Sequence, residues 1–473
     1  MRPVGVIFSI FERTSCCKVR LKQYNEAFLK TVIEKEKNMA EVLTQKVSKK
    51  DMALTLAAAL LGWMFDGFSM GLFPLVARPA LREMLGPNST ATIGTWIGNI
   101  IAGFLLGAAA GGILFGWLGD RIGRVKAMVL AVTTYATFST LCVFVAAPWQ
   151  LAVLWFCASL GMGGEWSLGV ALVMETWPSG SRVLLAGLIG AAANVGFLTI
   201  ALIGLALVKV IDQLGPALIS IGLPQAWADA LVANSGWRFI LLLGALPALV
   251  ALFIVLFVPE SKKWQHAAAG APKNKISDIF KGHTGKLAIL GAVISSIALL
   301  GMWGSAQWIP IWADKLGGPA SRSLAQVWLA IGAIVGCIIG AYMAKWTSRR
   351  WAYFILCLVS LGSCAYLFRV PMQFGTKYLF LVFIVGAATA SFFGWLPLYL
   401  PELFPTRIRA TAQGFAFNCG RILAAAGTLG AGGLLNYFNE DYAKMCAVIT
   451  LVYILGLFAI WLCPETKDRP LPE

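Results

Sequence analysis

The chain has 473 residues, of which 59% are hydrophobic and 13% charged, against roughly 45–50% and about 25% in a soluble domain. With a mean hydropathy of +0.76 spread along the length, that composition excludes an ordinary soluble protein and places most of the chain in hydrocarbon. The net charge of +16 sits in short segments between apolar runs, where basic residues set membrane orientation, so nucleic acid is not an expected partner.

Residues 1–50 read as a polar tail of mixed charge in which Cys16 and Cys17 are neighbours. Its apolar stretch from Val4 to Phe11 is too short for a signal peptide and lacks a small-residue cleavage pattern. Met39, leading into the Lys49-Lys50 flank of the first apolar run, is a candidate natural start; N-terminal sequencing of native protein beginning at Met1 would reject it. Apolar segments follow near 52–76, 93–118, 127–147, 151–174, 184–208, 237–258, 287–312, 323–344, 351–368, 378–400, 410–435 and 445–463. Each is long enough, at about 1.5 Å per residue, to cross or nearly cross a core of about 30 Å. Since the runs lack a barrel's alternation, an all-α membrane protein of twelve transmembrane helices is predicted.

An even number of spans puts both termini on one face. That face holds 28 of the 38 basic residues and the other holds 9, with Arg421 inside a span. The richer face is expected to be cytoplasmic and the membrane the cytoplasmic, inner one. Eight of the ten cysteines are scattered singly in apolar runs, so neither a disulfide nor a metal framework is expected.

The longest polar interruption divides the spans six and six, giving a first half over 51–258, a central loop over 259–286, a second half over 287–463 and a tail over 464–473. Internal repeats support the division. The segment Gly116 to Lys126, which contains Gly119-Asp120-Arg121-Ile122-Gly123-Arg124, follows span two as Gly340 to Arg350 follows span eight; in this register Ala344 stands for Asp120 and Thr347 for Gly123. Glu175 with Pro178 and Arg182 after span four is repeated as Glu402 with Pro405 and Arg409 after span ten. Pro259-Glu260-Ser261 closes the first half and Pro464-Glu465-Thr466 the second. The shorter offset of this last pair implies extra residues between Lys209 and Trp237, expected as an external loop with a short interfacial helix.

These motifs resemble the major facilitator superfamily of secondary transporters, whose signature loop the Gly116 to Lys126 segment matches. The Pro-Glu-Ser/Thr endings are similar to those of sugar porters. Gly161-Met-Gly-Gly-Glu165, and Pro405 to Thr411 leading to Gly420-Arg421, look more like the proton-coupled symporters of aromatic, sialic and other organic acids. The resemblance implies two pseudo-symmetric six-helix halves moving about a central site by alternating access.

Asp120, Arg121, Arg124, Glu175, Arg182, Glu402, Arg407 and Arg409 lie at the cytoplasmic ends of spans, where opposite charges can pair when that side closes. They are assigned to a gate. Asp66 stands midway along the first span and Glu165 within the fourth, and an ionisable group at that depth is a functional candidate. Both histidines fall in the central loop, so Asp66 and Glu165 are the candidates for proton coupling. The glycines before Glu165 read as helix packing. Arg421 presents a permanent fork suited to a carboxylate, so it either binds an anionic substrate or pairs with Asp66 or Glu165. Asn194, Gln307, Trp303, Trp308, Trp395 and Asn418 are further candidates to line the cavity.

No phosphate-binding Gly-x-x-x-x-Gly-Lys-Ser/Thr loop and no nucleophile, base and orienter set is present, so neither an ATP-driven pump nor an enzyme is expected, and no cofactor. The reading is proton symport of a small carboxylate by a monomer in the bilayer. A sugar or neutral-metabolite porter is the alternative, and a non-transporting sensor a remote one.

Overall fold

A hydrocarbon core leaves backbone groups to satisfy one another, and the chain does so with helices. The computed structural model describes residues 48–86, 90–268, 275–439 and 441–472. The candidate start at Met39 and the Cys16-Cys17 pair lie outside them. In chain order the long helices are α1 Lys49–Leu85, α2 Thr90–Ile122, α3 Arg124–Leu141, α4 Pro148–Thr176, α5 Arg182–Ser220 and α6 Gln225–Phe257. After a short helix Lys262–Ala268 come α7 Gly282–Gly317, α8 Pro319–Trp346, α9 Arg349–Arg369, α10 Thr376–Leu403, α11 Arg409–Tyr437 and α12 Tyr442–Leu462. Eleven of them are long and apolar enough to cross a membrane. The twelfth, α11, has 29 residues and lies packed between α2 and α7. Every odd-numbered helix begins, and every even-numbered one ends, on the face that carries the central loop.

The halves meet along two seams, α2 against α11 and α5 against α8. Small residues permit the close approach. A Cβ at Gly414 would stand 2.1 Å from the carbonyl oxygen of Gly112, and one at Gly394 would stand 1.7 Å from that of Cys337 within the second half.

One expectation is corrected. The segment after Lys209 does not open as a loop, since α5 stays helical to Ser220 through Pro216; the chain then turns at Gly222, φ +96°, and the expected short helix is the stretch from Gln225 to the break at Ala233. Lys209, Asp212 and Gln213 end the apolar pattern, but a helix leaving hydrocarbon keeps its own backbone bonds and has no reason to stop there. Within α6 the backbone breaks at Asn234, Ser235 and Gly236, all at positive φ. Glu83 at the end of α1 staples this break, its Oε2 accepting from Asn234, the Trp237 indole and Arg238 at 2.7–3.0 Å.

Candidate functional site

Buried charges gather at two levels, one at the central-loop face and one in the middle of the helices. At the face, Arg124 opens α3 and is fully buried. Its guanidinium donates to both oxygens of Glu175 at 3.0–3.3 Å, to the carbonyls of Gly119 and Thr406 at 2.9 and 2.7 Å, and pairs with Asp120 at 2.8 Å. Ser261 adds a hydroxyl bond to Glu175 at 2.5 Å. Glu260 accepts the backbone N–H groups of Arg124 and Val125, which open α3, at 3.0–3.1 Å, an anion at a helix N-terminus. Burial pushes the Glu260 carboxyl above its ordinary value, against the N–H donors of Ser261 and Val125 and the Arg124 charge.

The second half repeats the motif. Arg349 donates to both oxygens of Glu402 at 2.8–3.0 Å and to the Ala344 carbonyl at 2.9 Å. Thr466 bonds Glu402 at 2.6 Å, and Glu465 accepts from the N–H groups of Arg349 and Arg350 at 3.1 Å. At Glu465 burial also pulls upward, but the N–H groups of Lys467, Arg350 and Arg349 outweigh it and hold the carboxyl below its ordinary value. This bonding corrects the repeat register by one. Arg124 matches Arg349 and the Gly119 carbonyl matches that of Ala344, so Lys345, not Ala344, stands for Asp120, and Ser348, not Thr347, for Gly123. The offset is 225 positions on both sides of the link, for Gly119 with Ala344 and for Arg124 with Arg349, so the corrected register needs no gap.

Among the described residues, it is the carboxylates of the first copy that are bonded across the halves. Asp120 accepts the N–H groups of Ala410 and Thr411 and the Thr411 hydroxyl at 2.6–3.2 Å, capping α11. Arg409 donates to Glu175 at 3.0 Å, to the Phe404 carbonyl at 3.2 Å and to the Pro472 carbonyl at 2.7 Å. Arg182, the repeat counterpart of Arg409, is half-buried between the charges of Arg409 and Glu402, and its Nε has no hydrogen bond among the described residues. Of the expected gate, then, Asp120, Arg124, Glu175 and Arg409 meet across the halves and Glu402 serves its own half. Arg121 is exposed over the Trp117 ring at 4.9 Å, and Arg407 is half-buried, its charge reaching Asp278 of the central loop. Sequence reasoning left out Arg349, Glu260, Ser261, Glu465 and Thr466. The repeated endings carried the signal for the last four, once asked what a carboxylate beside a helix start would bind.

The deeper level is built differently. Asp66, Glu165 and Arg421 are 0–2% exposed. Both oxygens of each acid, and Nε and Nη1 of Arg421, make no hydrogen bond with any described residue. The charge of Asp66 on α1 acts on Arg421 of α11 and on Glu165 of α4. On α11, Gln413, Phe417 and Arg421 share a face at i, i+4, i+8. Phe417 stacks on Trp166 at 3.9 Å, takes the edges of Trp63 and Phe393 at 6.4 and 6.2 Å, and lies 5.6 Å from the Arg421 guanidinium. The Trp63 and Trp166 indole N–H groups and the Gln413 amide are likewise buried without a described partner. A guanidinium fork, a nearby buried carboxyl and a wall of aromatic faces with spare donors are thus brought together; Phe417, Gln413, Trp63 and Trp166 had escaped notice as ordinary core.

The remaining candidates divide. Asn194 and Gln307 line one small cavity with Gln326, Met302 and Thr389, and Trp303 packs against the cores of both halves. Trp308 lies 6.2 Å from Tyr442. Asn418 is stitched into the seam between halves, its amide donating to the Gly163 and Gly414 carbonyls at 3.2 and 2.9 Å. Trp395 is removed from all of these: its indole donates to the Arg349 carbonyl at 3.0 Å and its ring stacks on Tyr399 at 4.5 Å, so it braces the central-loop end of the second half. Among the described residues no three His, Cys, Asp or Glu are grouped to hold a metal.

Comparison with known proteins fits this arrangement. The family model described as Major Facilitator Superfamily matches residues 54–428. The chain is 28% identical over 428 residues to a probable 4-methylmuconolactone transporter of Cupriavidus pinatubonensis, covering 89% of this chain and 92% of that one. It is 25% identical over 424 residues to a gentisate transporter of Corynebacterium glutamicum, covering 85% and 88%. Among solved structures, the proton:xylose symporter XylE of E. coli superposes with a TM-score of 0.71 at 18% identity, covering 89% of this chain and 98% of that one.

Proposed function

The chain belongs to the Major Facilitator Superfamily, and from that premise we propose that it is a proton-coupled symporter of a small organic anion in the cytoplasmic membrane, acting as a monomer with the central-loop face inward. The observation that carries this reading is the buried Asp66–Arg421 arrangement, in which both carboxyl oxygens and the guanidinium Nε and Nη1 make no hydrogen bond to any described residue. An arginine stays charged at this depth, so its counter-charge is either the Asp66 carboxylate or the carboxylate of a substrate. When substrate binds, Asp66 takes a proton and leaves the fork to it. With the proton and the anion both aboard, the site is nearer neutral and the halves can rock; with neither, Asp66 pairs with Arg421 and the site is again neutral. An empty site and a doubly loaded one can therefore cross, while a half-loaded one carries a bare charge through hydrocarbon.

The named relatives, transporters of organic acids or of a lactone derived from one, support the substrate class. The Pro-Glu-Ser/Thr endings, which favour a sugar porter when read as sequence, are spent here on bracing Arg124 and Arg349 at the membrane surface, so they say nothing of the central site. The gate residues Asp120, Arg124, Glu175 and Arg409 hold the inward side shut in this reading.

The test is uptake of gentisate, benzoate, succinate and xylose into proteoliposomes, with and without an inward proton gradient, for wild type and Arg421→Gln. Gradient-stimulated uptake of one of the acids, lost in the variant, is expected. Uptake of xylose alone, kept by the variant, would replace this reading by the sugar one.

A further inference from the structure

On α4 the positions Gly161, Glu165 and Gly169 lie on one face, four residues apart, and all three enter a seam inside the first half. A Cβ at Gly161 would stand 2.3 Å from the Ala131 carbonyl oxygen and 2.8 Å from the Tyr135 nitrogen, both on α3. A Cβ at Gly62 of α1 would stand 1.9 Å from Oε1 of Glu165. One turn on, a Cβ at Gly169 would stand 3.2 Å from the Ala59 Cβ on α1 and 3.5 Å from the Met128 Cε on α3. Glu165 is therefore wedged where α1, α3 and α4 converge, and the glycines on either side are what let them converge.

Tyr135 enters the same seam. It is fully buried, and its phenol has no hydrogen-bond partner among the described residues, which is costly for a hydroxyl. Its backbone lies against Gly161. A helical side chain leans toward its own helix N-terminus, and α3 starts at the central-loop face, so the phenol leans that way. Glu165 lies one turn from Gly161 in the same direction, because α4 runs antiparallel and ends at that face. The phenol thus reaches toward the Glu165 carboxyl. Of the charged groups on the helices around it, Glu165 of α4 and Asp66 of α1 are those whose charge acts on the phenol; the charge of Arg421 of α11 acts on Asp66, and Ser139 lies one turn along α3 with its own hydroxyl unpartnered.

We propose that Tyr135 is a positioning residue for proton coupling: its phenol donates to Glu165 while that carboxylate is ionised, after passing on the one proton received from neighbouring Asp66, and so sets the pH at which that proton leaves the first half. The inference rests on the symport reading and adds a residue outside the substrate's path. It also gives the buried phenol a partner in one protonation state of Glu165, which packing alone does not.

The experiment is the external-pH profile of gradient-driven uptake, using whichever panel acid the wild type accumulates, for wild type, Tyr135→Phe and Ser139→Ala. Loss of a donor to the ionised carboxylate makes Glu165 hold its proton more tightly, so the Tyr135→Phe profile moves to higher pH by about 1 unit. KM measured well below the transition stays within a factor of about 2, and Ser139→Ala keeps the wild-type profile. A Tyr135→Phe profile that coincides with wild type overturns the role, as does a loss of rate at every pH with the profile unshifted, which is what damaged packing gives. A wild type that ignores the proton gradient overturns the symport reading itself, and this role falls with it.

Discussion

Two regions of this molecule bury charges, and they treat them in opposite ways. At the central-loop face Arg124, Glu175, Asp120 and Arg409 form a closed account in which each charge meets an opposite charge and several hydrogen bonds. Midway along the helices Asp66, Glu165 and Arg421 are as deeply buried, and both acids together with Nε and Nη1 of Arg421 bond to nothing described. Satisfied charges fix a geometry; unsatisfied ones persist only where something else, a proton or an anion, completes them. The difference teaches where to look for stability and where for transport.

The contrast is broken first at the face. Arg124→Gln leaves Glu175 short of one buried partner and Asp120 of its cation, and is expected to cost about 3–5 kcal/mol, read as a fall in the thermal unfolding midpoint in detergent. Arg421→Leu, which removes a charge of equal burial whose Nε and Nη1 have no described partner, is expected to leave that midpoint unchanged or raise it. Equal losses for the two would erase the distinction between the regions.

In the centre the effect falls on transport. Asp66→Asn is expected to lower gradient-driven accumulation by roughly a hundredfold, about 2.7 kcal/mol, while substrate exchange between equal pools persists, because the fork at Arg421 remains and only the proton is lost. Accumulation at the wild-type level would remove Asp66 from the coupling.

Asp120 tests the asymmetry between the two repeats. Among the described residues it caps a helix of the opposite half, whereas Lys345 holds the matching place in the second copy. Asp120→Asn keeps an acceptor but loses the charge at the α11 N-terminus, worth about 1 kcal/mol, a shift of roughly fivefold in the balance between the two open states. Accessibility labelling of cysteines placed on each face reads that shift; Lys345→Ala should leave the balance where it was.

The smallest expected effect separates Glu260 from Glu465. The Glu465 carboxyl is held below its ordinary value, so the stability it contributes is present at neutral pH and is lost as pH falls through that lowered value. The Glu260 carboxyl is raised, so its contribution is present in acid and declines as pH rises through the raised value. Glu465→Gln should therefore lower the unfolding midpoint more at pH near 7 than in acid, and Glu260→Gln the reverse. Parallel pH curves for the two variants would contradict the opposite shifts.

Much of this was legible without coordinates. Long apolar runs fix helices because hydrocarbon permits little else, and charge in the middle of a run, as at Asp66 and Arg421, stands out against its neighbours. The gate was partly legible, since repeated Arg and Glu at helix ends announce pairing. Which arginine meets which glutamate was not, because Arg409 bonds a residue 234 positions away and Arg182, its counterpart, makes no matching bond; a repeat in sequence does not tell which of two copies the resting state engages. Trp395 illustrates the opposite failure. An aromatic with a polar edge satisfies the same sequence criteria in a cavity wall and under a helix end, and only the partner of its indole, the Arg349 carbonyl, separates the two. Tyr135 and Phe417 gave no signal at all, being ordinary aromatic residues whose importance lies in what the glycines of neighbouring helices bring against them.

The central claim is that Asp66 and a substrate carboxylate exchange places at Arg421, with a proton taken up as they do so. The most direct test is the number of protons absorbed from a weakly buffered solution when the transported acid binds to purified protein, followed with a pH-sensitive dye. Wild type is expected to absorb close to one proton per acid bound, and Asp66→Asn to bind the same acid with markedly less proton uptake; binding by wild type with no proton absorbed, or an identical uptake by Asp66→Asn, would contradict the account.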